Sequence, residues 1–174
     1  MEYIFTLKYR LTKQDTDTDE LIECLGEAGC DDALIGIGQP GRLALEFTRE
    51  AEDARHALHS ALADVKKAVP TARLIEVTPD IVGLTDAAEM VGMSRQNLRK
   101  LMVANSETFP DPIHEGSASL WHLSEILAWL DTRGSYALER SVMDIASAAL
   151  QVNLLKQTQR QLPEYDQELE ELVS

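Results

Sequence analysis

Arg95, Gln96, Asn97, Arg99 and Lys100 fall within six consecutive residues. Arginine bonds the edge of a guanine bidentately, asparagine or glutamine does the same for adenine, and lysine or arginine neutralises phosphate. From Met90 to Ser106 there are three basic residues and no acid, in a chain whose formal net charge is −14. These side chains suit contact with a nucleic acid groove. A solvated helix face of the same composition is the alternative.

Other groups that could do chemistry point to structural roles. Gly36-Ile37-Gly38-Gln39-Pro40-Gly41 satisfies G-x-G-x-x-G. A dinucleotide site needs those glycines to lead from a strand into a helix whose N-terminus meets the pyrophosphate. Here Pro40-Gly41 leads into a second strand, so a hairpin loop is expected. His56 and His59 lie three apart on a helical stretch, with no third ligand and no glutamate-containing zinc motif around them, which predicts a solvated face. Asp31-Asp32 suit a turn and a cap better than an acid–base pair. His114 and His122 have no serine or cysteine nucleophile motif to serve. Cys24 and Cys30 lack CxxC spacing and a second half-site, so free, buried thiols are expected. No enzymatic activity, cofactor or metal is expected.

The elements that must present the basic run can be read on either side of it. Thr85 is placed to cap a helix starting at Asp86, with Ala87, Ala88 and Val91 inward. Gly92 supplies the left-handed backbone of a tight inter-helix turn. Met93 reads as a buried plug, and Ser94 caps a second helix running to about Val103, with Leu98, Leu101 and Met102 facing inward. Phe109-Pro110-Asp111-Pro112-Ile113 is extended by its prolines. His114–Ser117 is a hairpin tip, and Ser119-Leu120-Trp121 returns as a strand, making a β-wing. Leu123, Ile126, Leu127 and Leu130 then stripe a helix over about His122–Thr132.

Upstream, residues 3–11 alternate as a strand with Tyr3, Phe5, Leu7 and Tyr9 on one face. A helix over Thr18–Ala28 turns Leu21, Ile22, Leu25 and Ala28 inward and ends at Gly29. Ala33–Ile37 and Arg42–Phe47 form a hairpin. A second amphipathic helix lies within Glu50–Val69, and a strand over Ala72–Val77 precedes a short linker, Thr78-Pro79-Asp80. The order β-α-β-β-α-β is that of a ferredoxin-like sandwich. Downstream, a helix from Tyr136 to about Gln161 carries Leu138, Val142, Ile145, Ala149 and Val152 at steps of four and three, widened by Ala146, Leu150 and Leu154. That stripe suits either a dimer seam or packing on the chain's own core. Pro163 breaks the helix ahead of an acidic segment, Glu164–Val173, with Leu169, Leu172 and Val173 as apolar points.

The run LTDAAEMVGMSRQNLRKL, followed by FPDPI and LWHLSEILAWL, resembles the excisionase, AlpA and MerR-like group of winged helix-turn-helix DNA-binding proteins over about a third of the chain. The stretch from EAGCDD to FTREA looks like a module that precedes such domains in bacterial DNA-binding proteins. Together with the elements on either side, the resemblance implies an α+β chain of three parts. These are a ferredoxin-like sandwich over 1–78, a winged helix-turn-helix over 79–134, and a C-terminal helix and acidic tail over 135–174. It also implies a sequence-specific transcriptional regulator of prophage, mobile-element or defence-locus type. DNA contacts would fall to Thr85, Ser94, Arg95, Gln96, Asn97, Arg99, Lys100, His114, Ser117 and Ser119.

Net charge limits that expectation. It is −6 over residues 1–78 and −4 over each of 79–134 and 135–174. Non-specific affinity for DNA comes from phosphate neutralisation, so a strongly basic, indiscriminate binder is excluded. What remains is a local positive helix on an acidic body, reading double-stranded DNA as a homodimer. An antitoxin or adaptor that binds a partner protein through its acidic body and C-terminal helix is the other reading. No apolar run approaches the ~20 residues of a membrane span, and the charged, alternating N-terminus is unlike a signal peptide, so a cytoplasmic protein is expected.

Overall fold

The computed structural model describes residues 1–15 and 17–161. Strand β1 (Glu2–Arg10) buries Tyr3, Phe5, Leu7 and Tyr9, because every second side chain of a strand shares a face. Helix α1 (Thr18–Ala28) begins where the Asp17 carboxylate accepts the N–H groups of Asp19 and Glu20. It stops at Gly29, whose φ of +108° is left-handed. Strands β2 (Ala33–Gly36) and β3 (Arg42–Glu50) pair antiparallel, so the G-x-G-x-x-G run is the loop of a hairpin. Helix α2 (Ala54–Ala68) and strand β4 (Arg73–Thr78) complete the unit.

The sheet order is β2-β3-β1-β4, antiparallel throughout. This is the arrangement of the expected split sandwich. Leu21, Leu25, Leu58, Ala61 and Val65 of the two helices share a core with the inner faces of β1 and β3. The other sheet face is open. Ile22, expected inward, is exposed instead. Leu21 and Leu25 lie about 40° apart around the helix, whereas Ile22 is about 100° from Leu21 and passes the rim of the contact.

A second core surrounds strands β5 (Ile81–Val82) and β6 (Trp121–His122), which pair with each other, and helices α3 (Leu84–Met90), α4 (Arg95–Ala104) and α5 (Leu123–Asp131). Leu98, Leu123, Ile126, Leu127 and Leu130 are all sealed within it. The return strand expected at Ser119–Trp121 lies slightly later, and its ladder partner is β5. The wing itself is one bridge, His114↔Leu120.

Helix α6 (Arg140–Gln161) starts four residues after the expected Tyr136. Tyr136 and Leu138 pack on the second core ahead of it. Ile145 and Ala149 enter the first core and Ala146 the second. Neighbouring helical positions differ by about 100°, so one helix serves both. The stripe that suited a dimer seam is therefore largely used within the chain, leaving its member Leu154 at 48 % exposure beside Leu155 at 60 %. The expectations for Pro163 and Glu164–Val173 lie outside the described residues.

Helix α6 also closes the free edge of β4. Asn153 Nδ2 donates to Val77 O at 2.8 Å, and Asn153 Oδ1 accepts Val77 N–H at 2.9 Å. The Lys156 ammonium donates to Ile75 O. A side-chain amide thus imitates a further strand, which blunts a sheet edge. Asp80, expected in a short linker, is only 1 % exposed. Its carboxylate accepts from Asn153 Nδ2 and meets His122 Nδ1, each at 2.7 Å, while its carbonyl accepts Leu123 N–H at 2.7 Å. Burial without partners would be costly for such a group. Here it joins β4, α5 and α6. Among the described residues no helix is long and apolar enough to cross a membrane.

Candidate nucleic-acid interface

Gly92, at φ +67°, makes the turn between α3 and α4. Ser94 then caps α4 by accepting the Asn97 N–H at 3.2 Å. Met93, expected as a buried plug, is half-buried against the second core. Thr85 is not a cap. Helix α3 begins two residues earlier than expected, behind Gly83, with no side-chain hydrogen bond at its N-terminus. Leu84 and Ala88, one turn apart on the same side, are both buried, so the first turn forms where Leu84 can reach the core. Thr85 is left exposed.

Leu98 is sealed inside, Leu101 and Met102 are half-buried, and Arg95, Gln96, Asn97, Arg99 and Lys100 are all exposed. Among the described residues none of the three cations of α4 has a salt-bridge partner. A cleft of about 400 Å³ runs between α4 and the hairpin, lined by Thr85, Asp86, Arg95, Arg99, Ser117 and Ser119, among others. The fold therefore brings five of the expected contact residues together. Gln96 and Lys100 instead occupy the outermost arc of α4, opposite Leu98. Asn97 falls on the far flank, about 160° from Arg99. His114 is exposed beside the bridge, its ring lying over Gly116, where a Cβ would stand 2.6 Å from Nε2.

Aromatic packing holds α4 and the hairpin together. Trp121 Nε1 donates to Pro110 O at 3.0 Å, and Phe109 meets Trp121 and Trp129 edge-on, at centroid distances of 6.2 and 5.0 Å. Trp129 Nε1 donates to Thr108 Oγ1 at 3.3 Å. Arg133 stacks over Trp129 and donates to Asn105 Oδ1, at the C-terminal end of α4. The loop from Asn105 to Ile113 is thereby pinned to α5. Ser94→Ala is expected to lower stability by about 1 kcal/mol through loss of the cap, with Ser94→Gly closer to neutral. A urea denaturation midpoint measures this.

Among the residues read as structural, His56 and His59 are exposed and both cysteines are free, while Asp32 departs from its expected turn role. His56 Nδ1 meets Asp53 Oδ2 at 2.9 Å on an exposed helix start. Cys30 is buried and Cys24 half-buried, both free, and burial pushes the Cys30 thiol up to about 11. Asp32 instead forms a bidentate pair with Arg49, at 2.7 and 2.9 Å. Neither its turn-like setting nor the spacing of the two residues points to that pair.

Residues 80–134 match the family model of the Prophage CP4-57 regulatory protein (AlpA). The matched segment runs from Asp80 to Gly134 and contains β5, α3, α4, β6 and α5. The resemblance drawn from LTDAAEMVGMSRQNLRKL and its sequel holds over this segment, which supports a phage-type DNA-binding regulator. No curated protein and no solved structure matches the chain.

Proposed function

We propose that the chain is a sequence-specific, DNA-binding transcriptional regulator of prophage, mobile-element or defence-locus type that acts as a homodimer in the cytoplasm. The observation that carries this reading is the exposed cationic face of α4, unpaired among the described residues, with Arg95 and Arg99 set beside the hairpin tip. Helix α4 enters the major groove. Arg99 and Gln96 reach the base edges, Lys100 extends along the groove to a flanking phosphate, Arg95 and Ser94 meet the phosphates at the helix start, and Ser117 and Ser119 follow the adjacent backbone. Asp86 in the same cleft and the net charge of −14 oppose indiscriminate phosphate binding, so affinity depends on a specific site. With three cations on the helix, log K falls with log salt with a slope no steeper than about −3 per protomer.

A dimer requires two half-sites about one helical turn, ~34 Å, apart. Leu154 of the α6 stripe and its neighbour Leu155 are exposed and available for a dimer contact.

The test begins with selection of bound fragments from a genomic library, followed by fluorescence anisotropy on the selected duplex. Arg95→Ala/Arg99→Ala/Lys100→Ala is expected to weaken binding by more than ~100-fold, since it removes one base contact, worth about 1–3 kcal/mol, together with two phosphate contacts. The circular dichroism melt should not move, because all three side chains are exposed. Lys100→Ala alone should weaken all sequences alike. Undiminished binding by the triple variant overturns the assignment.

A further inference from the structure

The open face of the four-stranded sheet carries an unusual row. Arg10 stands directly opposite Arg42 of β3 on one side and Arg73 of β4 on the other. Cross-strand partners project from the same face, so three guanidiniums lie side by side across strands about 4.8 Å apart. Like charges placed opposite one another destabilise a sheet. Among the described residues none of the three has a salt bridge, and the neighbouring carboxylate of Glu76 is held by Lys8 at 2.6 Å. Beside the row, a cleft of about 380 Å³ opens over the small residues Gly36 and Ala44, walled by Lys8, Arg42 and Ile75. Such a row on an acidic body calls for an anion.

Helix α6 indicates which anion. Its contacts pair Asn153 with Val77 and Lys156 with Ile75, so it runs antiparallel to β4 and towards Arg73. From Asn153 to Gln161 is about 12 Å along the helix, and from Val77 to Arg73 is about 13 Å along the strand. The chain therefore leaves α6 level with the outer end of the row. The thirteen residues beyond Gln161 carry Glu164, Asp166, Glu168, Glu170 and Glu171 and no basic residue. Crossing from β4 to β3 takes ~10 Å, the reach of about three extended residues.

We propose that the chain's own acidic segment, Glu164–Glu171, docks across the Arg73–Arg10–Arg42 row of the same molecule. Tethering gives the segment an effective concentration on the order of millimolar, which a free acidic peptide or a nucleic acid phosphate would have to exceed. Docking offsets the repulsion within the row and parks five carboxylates away from α4. The proposal does not depend on the DNA-binding reading.

The test is NMR on the full chain, following the arginine side-chain Nε–Hε signals. Neutralising the segment (E164Q/D166N/E168Q/E170Q/E171Q) is expected to shift the signals of Arg10, Arg42 and Arg73 together while those of Arg49 and Arg95 stay in place. Salt at about 0.5 M should produce the same shifts through screening. Conversely, R10Q/R42Q/R73Q should move the backbone signals of 164–171. Unmoved arginine signals in the neutralised chain overturn the proposal. So does a contact seen only between differently labelled molecules in a mixed sample, which would make a second copy the occupant. A shift of the three signals by duplex DNA but not by tail neutralisation would assign the row to nucleic acid instead.

Discussion

Replacing Trp121 by alanine is expected to lower the unfolding free energy by about 3–5 kcal/mol, the range for removing a large aromatic from a core. Trp121 is 5 % exposed, pairs with Val82 across the β5–β6 ladder, and meets Phe109 edge-on. Its indole N–H is also the donor to Pro110 O. Two losses therefore coincide, a cavity under the hairpin and a carbonyl without its donor. Trp121→Phe separates them, because the ring largely survives while the hydrogen bond does not, so a loss of about 1 kcal/mol is expected. Far-UV circular dichroism during urea denaturation measures both, and the alanine variant should also lose DNA binding as α4 and the hairpin part. A cost below about 1 kcal/mol for alanine would mean that the aromatic cluster does not hold the interface.

The inward spacing of Leu98, Leu101 and Met102 was sufficient to show that the basic residues of α4 face outward, because helical period alone decides that. It did not show that Arg95 and Arg99 share a cleft with Ser117 and Ser119, which needs the long-range docking of the hairpin. The opposite placement of Asn97 was available from the same period. Strand β5 was not legible, since two residues carry no alternation, and neither was the ladder that joins it to Trp121–His122. The heptad-like spacing in α6 established that Ile145 and Ala149 bury themselves against something. Spacing does not say whether the partner surface belongs to the same chain. Asp80 is a similar case, a polar residue beside a proline whose partners, Asn153 and His122, lie 73 and 42 positions away.

Arg49→Met is expected to destabilise the sandwich by about 3 kcal/mol, the lower end of the range for removing one partner of a buried ion pair. Arg49 continues the inward parity of Leu43, Leu45 and Phe47 along β3 and is 8 % exposed. That parity was a usable signal, because an inward arginine must find carboxylates. It finds Asp32 at 2.7 Å and Asp64 at 2.8 Å, with Ser60 Oγ and the Gly29 carbonyl as further acceptors and the Phe47 ring beneath at 4.8 Å. One guanidinium thereby ties the end of α1, the start of β2 and the middle of α2. The Asp32 hydrogen bonds hold it more firmly charged than a free arginine. Methionine would fill much of the space yet leave two carboxylates facing each other, and these are partly open to solvent, which sets the lower figure. Arg49→Lys keeps the charge but loses the planar fork, so it should fall between wild type and methionine in a urea denaturation series. Equal stability of all three would show that the network is a consequence of the packing and contributes nothing to it.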